Sequence, residues 1–147
     1  YGGDTCFSSM YAAYDALSEP MRVFLDGLTA IHDGEHVYRP IVGQNGQTFP
    51  CSEHPVVRTH PATGRKCLFV NQSYTTRIPQ LSKLESDAVL AMLYRHCMAA
   101  DFQVRFRWRP NSVAFWDNRC TQHQAIWDYF PQTRSGFRVT VAGDKPF

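Results

Sequence analysis

The sequence predicts a mainly β domain with two or three peripheral helices, arranged as a jelly roll or a related sandwich. Three observations carry that expectation. Phe102, Val104, Phe106 and Trp108 alternate with Gln103, Arg105, Arg107 and Arg109, which is the period-two pattern of a half-buried strand. Short segments of β character are separated by turn residues such as Pro61-Ala62-Thr63-Gly64 and Pro110-Asn111, as in all-β domains. Helical signals are few, the clearest being the capping box Ser82-Lys83-Leu84-Glu85 ahead of Ala88, Leu90, Ala91, Leu93 and Tyr94, where the first and fourth residues satisfy each other's backbone N–H groups. Periodicity alone does not separate a jelly roll from another sandwich.

Taken in order, Ser8 or Ser9 is placed to cap a helix running to about Leu17. Ser18-Glu19-Pro20 starts a second, with Pro in the first turn where its missing N–H costs least and Val23, Phe24 and Leu28 on the apolar side. Residues 32–53 are rich in Gly, Pro, Asn and Gln, and are expected to form a long loop of the kind that serves as a lid. Strands follow at 54–60 and 67–71, joined through Gly64. After the capped helix and the 102–108 strand, Pro110-Asn111 turns the chain into a strand at 112–116. Phe137, Val139 and Val141 alternate with Arg138 and Thr140, giving a last strand whose polar face carries Arg138.

Composition narrows the function classes. The chain has 147 residues, 44% of them hydrophobic, and a net charge of +2. One domain with an ordinary core is expected, spanning 1–147. The basic residues are scattered and form no nucleic-acid stripe. No apolar run reaches the roughly 18 residues of a membrane span, and no secretory leader is read. Five cysteines without a Cys-x-x-Cys pair read as reduced thiols of a cytoplasmic protein, and Cys51 with His54 lacks the second pair that a structural zinc site needs.

The chemistry concentrates near the C-terminus. His123 precedes two guanidiniums, Arg134 and Arg138, and Pro131 between them favours a chain reversal that would bring Arg134 back beside His123. Imidazole binds borderline metals such as iron, and the arginine fork grips a carboxylate through two charge-assisted hydrogen bonds. The bland alternative is a surface histidine with two solvated arginines. Arg105, Arg107 and Arg109 are read as a solvated strand face.

Trp116-Asp117-Asn118-Arg119, Thr121-Gln122-His123, Asp128-Tyr129, Arg134, Arg138 and Ala142-Gly143-Asp144-Lys145-Pro146 resemble the C-terminal signature of the taurine dioxygenase and 2,4-dichlorophenoxyacetate dioxygenase family of iron(II)- and 2-oxoglutarate-dependent oxygenases. Tyr1-Gly2-Gly3-Asp4-Thr5, His54-Pro55-Val56-Val57-Arg58-Thr59-His60-Pro61, Phe69-Val70-Asn71, Thr75-Thr76-Arg77-Ile78 and Phe102-Gln103-Val104-Arg105 with Trp108 follow in the family's order. The resemblance implies a double-stranded β-helix. It implies His123 as the distal iron ligand, Thr5 and Arg134 on the far carboxylate of 2-oxoglutarate, and Arg138 on the near carboxylate or the substrate's anionic group. Tyr74 and Asn71 would line the substrate pocket, and no separate catalytic side chain is assigned. Iron and 2-oxoglutarate are the implied cofactor and co-substrate, with dioxygen and a small anionic organic molecule as partners. The sequence allows a homo-oligomer without specifying one.

Such enzymes hold iron with two histidines and one carboxylate, and the first two ligands form a His-x-Asp pair. No His-x-Asp or His-x-Glu occurs here. The chain is therefore expected to be the C-terminal part of one dioxygenase domain, with an incomplete jelly roll, inactive alone and prone to aggregate; a degenerate member and a halogenase-like sibling are the alternatives. The expected reaction is hydroxylation of a taurine-like alkylsulfonate, releasing aldehyde and sulfite while 2-oxoglutarate becomes succinate and carbon dioxide. An aryloxyalkanoate or alkyl sulfate dioxygenase, or a non-catalytic β-barrel binding protein, is the competing reading.

Overall fold

The computed structural model describes residues 2–42 and 48–147. Local chemistry explains its helices. The Ser9 hydroxyl accepts from the Ala12 N–H at 3.3 Å and starts α1 (Met10–Asp15). Pro20 occupies the first turn of α2 (Glu19–Leu25). In α4 (Lys83–Cys97) both halves of the capping box form, between Ser82 and Glu85.

Strands β1 (Thr5–Ser9), β7 (Gln103–Phe106) and β8 (Thr121–Ala125) make an antiparallel sheet with β1 in the centre. A second sheet places β2 (Thr29–Asp33) between β3 (Cys51–Pro55) and β6 (Thr75–Arg77), and β4 (Val57–Thr59) pairs with β5 (Lys66–Leu68). Gly64, at φ 67°, closes the β4–β5 turn in the left-handed region that glycine enters without penalty. The sheets are open, and none closes into a barrel among the described residues. Among the described residues no helix is long and apolar enough to cross a membrane.

Three expectations need correction. The 32–53 span is not a structureless loop: it holds the end of β2, helix α3 (Glu35–Val42) and the start of β3, while its residues 43–47 lie outside the described residues. Tyr38 explains part of this, since its ring packs over Gly34 and stacks on Phe49. Residues 112–116 and 137–141 form no strand. Alternation is only half of a strand's requirement, because the backbone needs a neighbouring ladder; Val113, Phe115, Phe137, Val139 and Val141 all stand exposed without one among the described residues.

The core gathers Met10 and Ala13 of α1, Leu25, Val56, Leu68, Val70, Ile78, and Leu90 and Leu93 of α4. Ser86, buried on α4, accepts the Ile78 N–H at 2.9 Å and ties that helix to the loop after β6. Leu93 is fully buried, whereas Leu84 is 81% exposed on the same helix. Leu93→Ala is expected to cost about 2–5 kcal/mol and Leu84→Ala under about 0.5 kcal/mol, read as shifts in the urea midpoint; equal shifts would contradict this packing.

On β2, the His32 ring stacks on Phe69 at 5.5 Å and meets the edge of His54 at 5.1 Å. Burial, then the neighbouring His54, pulls His32 down to about 4 from 6.5. Above pH 6.5 the ring is neutral whether the chain is folded or not. As pH falls through 6.5 the unfolded chain takes up a proton that the folded one refuses, so stability is lost down to about pH 4 and then levels. His32→Phe should flatten the unfolding midpoint against pH in that window, and an unchanged slope would show that other groups carry it.

Candidate functional site

The site grows from the pairing of β1. Residues directly opposite in an antiparallel pair share a face, and the register sets Thr5 against Phe106 and Ala125, and Phe7 against His123. Thr5, Phe7 and His123 therefore project to the same side. Phe7 lies 6.1 Å and Trp116 4.9 Å from the His123 ring, centroid to centroid, and 5.0 Å from each other, so the imidazole packs against an aromatic pair. Burial, and then the charge of Arg138, lower its pKa. At neutral pH it is the uncharged ligand form, and its ring nitrogens have no hydrogen-bond partner among the described residues.

Thr5 is 4% exposed. Its hydroxyl oxygen accepts from the Trp108 indole N–H at 2.9 Å and, more weakly, from Arg134 Nη2 at 3.4 Å. Two donors onto one oxygen leave the hydroxyl's own proton to donate outward. The Arg134 guanidinium also lies 5.7 Å from the Trp108 ring centroid, a cation–π distance. Arg134 itself is exposed and lies across the sheet's surface. Gly3 makes that approach feasible. At φ 74° it has no side chain, and a Cβ there would lie 2.8 Å from Arg134 Cδ and 3.2 Å from Tyr129 Cδ1.

The opposite face of β1 carries the supporting charges. Asp4 accepts from Arg105 Nε at 2.7 Å, Asp128 accepts from Arg105 Nη2 at 3.3 Å, and the Gly3 N–H donates to Asp128 Oδ1 at 2.7 Å. Arg105, read as solvated from sequence, instead ties the start of β1 to the chain beyond β8.

The structure brings Thr5 and Arg134 into contact. Arg138 makes no such contact among the described residues, and only its charge bears on His123 and, as a minor influence, on the Tyr74 phenol. The net effect on Tyr74 is upward, led by its hydrogen bond with Tyr38 and by burial. Asn71 has a positioning role: its Oδ1 accepts from the Tyr74 N–H and its own N–H donates to Thr75 Oγ1, both at 2.9 Å. Gly3, Asp4, Trp108 and Asp128 enter the sequence reading only as motif residues with no role assigned, and Tyr38 is given no part in the site. Trp108 sits on the apolar side of the alternating segment, and nothing in that pattern marks its indole N–H as a donor to Thr5.

His60, Asp117 and Cys120 also place donor atoms within 4.8 Å of one another. Their bonding is otherwise complete. His60 Nδ1 accepts from the Ala62 N–H at 3.3 Å, leaving Nε2 to donate to Asp117 at 3.1 Å. Asp117 is gripped by Arg119 through Nε and Nη2, which holds its carboxyl well below the usual range. Arg119 reaches Asp144 at 3.2 Å, and Asp144 accepts from the buried Arg58 at 2.7 Å. With guanidinium already on the carboxylate, this group is a structural charge chain and a poor cation site.

Comparison with known proteins agrees with this arrangement. The family model described as taurine catabolism dioxygenase TauD, TfdA family matches residues 1–140. The chain is 38% identical over 150 residues to an alpha-ketoglutarate-dependent sulfonate dioxygenase of Saccharomyces cerevisiae, covering 99% of this chain and 36% of that protein. It is 38% identical over 157 residues to an alpha-ketoglutarate-dependent sulfate ester dioxygenase of Pseudomonas putida, covering 99% of this chain and 52% of that protein. The chain thus spans about a third to a half of the length of these relatives. A taurine dioxygenase structure from Burkholderia xenovorans superimposes with a TM-score of 0.78 at 40% identity, over 90% of this chain and 43% of that one. A crystal structure of AAD-2 in complex with Mn(II) and N-oxalylglycine does so with 0.81 at 31% identity, over 99% of this chain and 59% of that one. The fold is the jelly roll of these dioxygenases, present here as open sheets, and the chain belongs to the taurine catabolism dioxygenase TauD, TfdA family.

Proposed function

We propose that this chain supplies the 2-oxoglutarate carboxylate site and the distal metal ligand of an iron(II)-dependent dioxygenase acting on a small alkylsulfonate or sulfate ester. One observation carries the reading: the Thr5 hydroxyl, held by Trp108 and Arg134, is left as a donor beside a guanidinium, on the same sheet face as His123. A carboxylate fits that pair of donors, because its two oxygens take one charge-assisted and one neutral hydrogen bond.

The donor set also fits a divalent iron, in part. His123 is a neutral imidazole with nitrogens available toward the open face, and it would be one of the three ligands of a facial site. Bound iron with 2-oxoglutarate supplies an oxidant that hydroxylates an unactivated carbon, with succinate and carbon dioxide as by-products. The chain's own residues do the positioning. Phe7 and Trp116 fix the imidazole plane, Arg134 and Thr5 orient the far carboxylate, and Arg138 presents positive charge to an oxyanion between His123 and Tyr74. Asn71 holds Tyr74 in place, and α3 within residues 32–53 serves as a lid over that edge.

The relatives named for sulfonates and sulfate esters favour a sulfur oxyanion over the aryloxyalkanoate alternative. Hydroxylation of the carbon bearing that group would release sulfite or sulfate and leave an aldehyde. We place the protein in the cytoplasm, where its five free cysteines would remain thiols.

In the intact protein, His123→Ala is expected to abolish substrate-dependent succinate production and to weaken iron binding. Turnover retained with bound iron would remove His123 from the ligand set. Arg134→Ala should raise the 2-oxoglutarate requirement roughly ten- to a hundredfold, the value of about 1.5–3 kcal/mol for a charge-assisted contact. Arg138→Ala should act mainly on the Michaelis constant for the sulfonate or sulfate. Equal effects of both substitutions on both ligands would contradict the division between them.

A further inference from the structure

Arg105 pairs with Cys6 across the β1–β7 ladder and so lies on the face of the sheet away from Thr5, yet its contacts converge on the carboxylate site. Its Nε donates to Asp4 Oδ2 at 2.7 Å and its Nη2 to Asp128 Oδ2 at 3.3 Å. Asp4 directly precedes Thr5 and is 8% exposed, and its carbonyl accepts the Ile126 N–H at 2.8 Å. Asp128 uses its other oxygen, Oδ1, to accept the Gly3 N–H at 2.7 Å. The guanidinium fork thus joins three stretches at one point: β7, the start of β1 and the chain leaving β8. From Asp128 that chain turns back, with the Gln132 N–H donating to the Tyr129 carbonyl at 2.8 Å, and lays Arg134 Cδ over Gly3.

The contacts that Arg134 makes for itself are weak. It is exposed, its bond to Thr5 Oγ1 is long at 3.4 Å, and its guanidinium lies 5.7 Å from the Trp108 ring centroid. Where it sits therefore depends on where its segment is anchored, and the Arg105 fork is that anchor. The fork's bond to Asp128 adds little to folding, because both side chains are half-exposed and surface ion pairs contribute little. We infer that Arg105 is a positioning residue for the far carboxylate of 2-oxoglutarate, acting through Asp4 and Asp128 to keep Arg134 beside Thr5. The inference rests on the dioxygenase reading of the site. His123 lies on β8, ahead of the anchored segment, with its ring against Phe7 and Trp116. Loosening the fork therefore leaves the metal ligand in place and disturbs the far-carboxylate end alone.

The test uses the intact protein loaded with iron(II) and kept free of oxygen, titrated calorimetrically with 2-oxoglutarate and with 2-oxobutyrate, the same 2-oxo acid without its far carboxylate. Arg105→Ala is expected to raise the dissociation constant for 2-oxoglutarate roughly three- to tenfold, less than Arg134→Ala because the guanidinium is loosened and not removed. The constants for 2-oxobutyrate and for iron(II) should not move, an outcome that general loosening of the fold would not give. Asp128→Asn leaves one of its two bonds unmade in either orientation of the amide and should reproduce the effect; combined with Arg105→Ala it should add little. Arg109→Ala, which removes the same charge from an exposed position nearby without touching either acid, should leave every constant unchanged. Should Arg105→Ala not fold, with Asp4 left buried without its donor, Asp128→Asn carries the same reading. Unchanged 2-oxoglutarate affinity in the folded variants, equal weakening of both 2-oxo acids, or the same loss in Arg109→Ala would overturn the inference while leaving the dioxygenase reading intact. Failure of the wild-type protein to bind 2-oxoglutarate would overturn both.

Discussion

The ladder that places β1 between β7 and β8 is the constraint on which the site depends. Strand β1 carries Thr5 and lies directly against the strand that carries His123. Through β7 it draws Trp108 onto Thr5, and through β8 it sets His123 against Phe7. Neither side chain would be placed by local sequence, since residues 5 and 123 are joined only through backbone pairing. The polar make-up of β1 and β8 is tolerable because the ladder satisfies their backbone groups, while Asp4, Arg105 and Asp128 secure the end of the sheet next to Thr5.

A second chain of interactions holds the C-terminal stretch, which has no ladder of its own. Arg58 is 1% exposed, and a guanidinium so buried needs a counter-charge. Asp144 supplies it, and Phe69 lies 5.1 Å from the guanidinium carbon. Arg119 then couples Asp144 to Asp117 and, through it, to His60. The Thr59 N–H adds a direct bond to the Phe147 carbonyl at 2.7 Å.

Much of this was legible in the sequence where the signal was local. Ser9, Ser82 with Glu85, Pro20 and Gly64 act as their types and positions indicate, because capping and turn chemistry involve residues within four of each other. The family's ordered motifs pointed to Thr5, Arg134, His123 and Arg138, of which the structure joins Thr5 and Arg134 directly. What could not be read depended on distant partners. β1, β2, β6 and β8 are short and mostly polar, so their strand character comes from neighbours and not from alternation. The reverse holds for residues 137–141, whose regular alternation has no adjacent strand to pair with among the described residues. Arg105 looked solvated because nothing in sequence announces that Asp4 and Asp128 converge on it.

The side-to-side alternation of β1 has a consequence for how this chain can tolerate insertions and deletions. Length changes between β7 and β8 can be absorbed by backbone that carries no ladder, within 109–115, where they leave Trp108 on Thr5, Trp116 on His123 and the Asp117–Arg119 anchor in place. One residue added inside 5–9 or 121–125 would be of a different kind. It would send Thr5 or His123 to the far side of the sheet and present Cys6 or Gln122 in its place, exchanging the surface proposed to bind metal and carboxylate for one lined by a thiol and an amide. Indels in related chains should therefore gather outside these two strands, and a homologue carrying one within them should have lost the chemistry while keeping the fold.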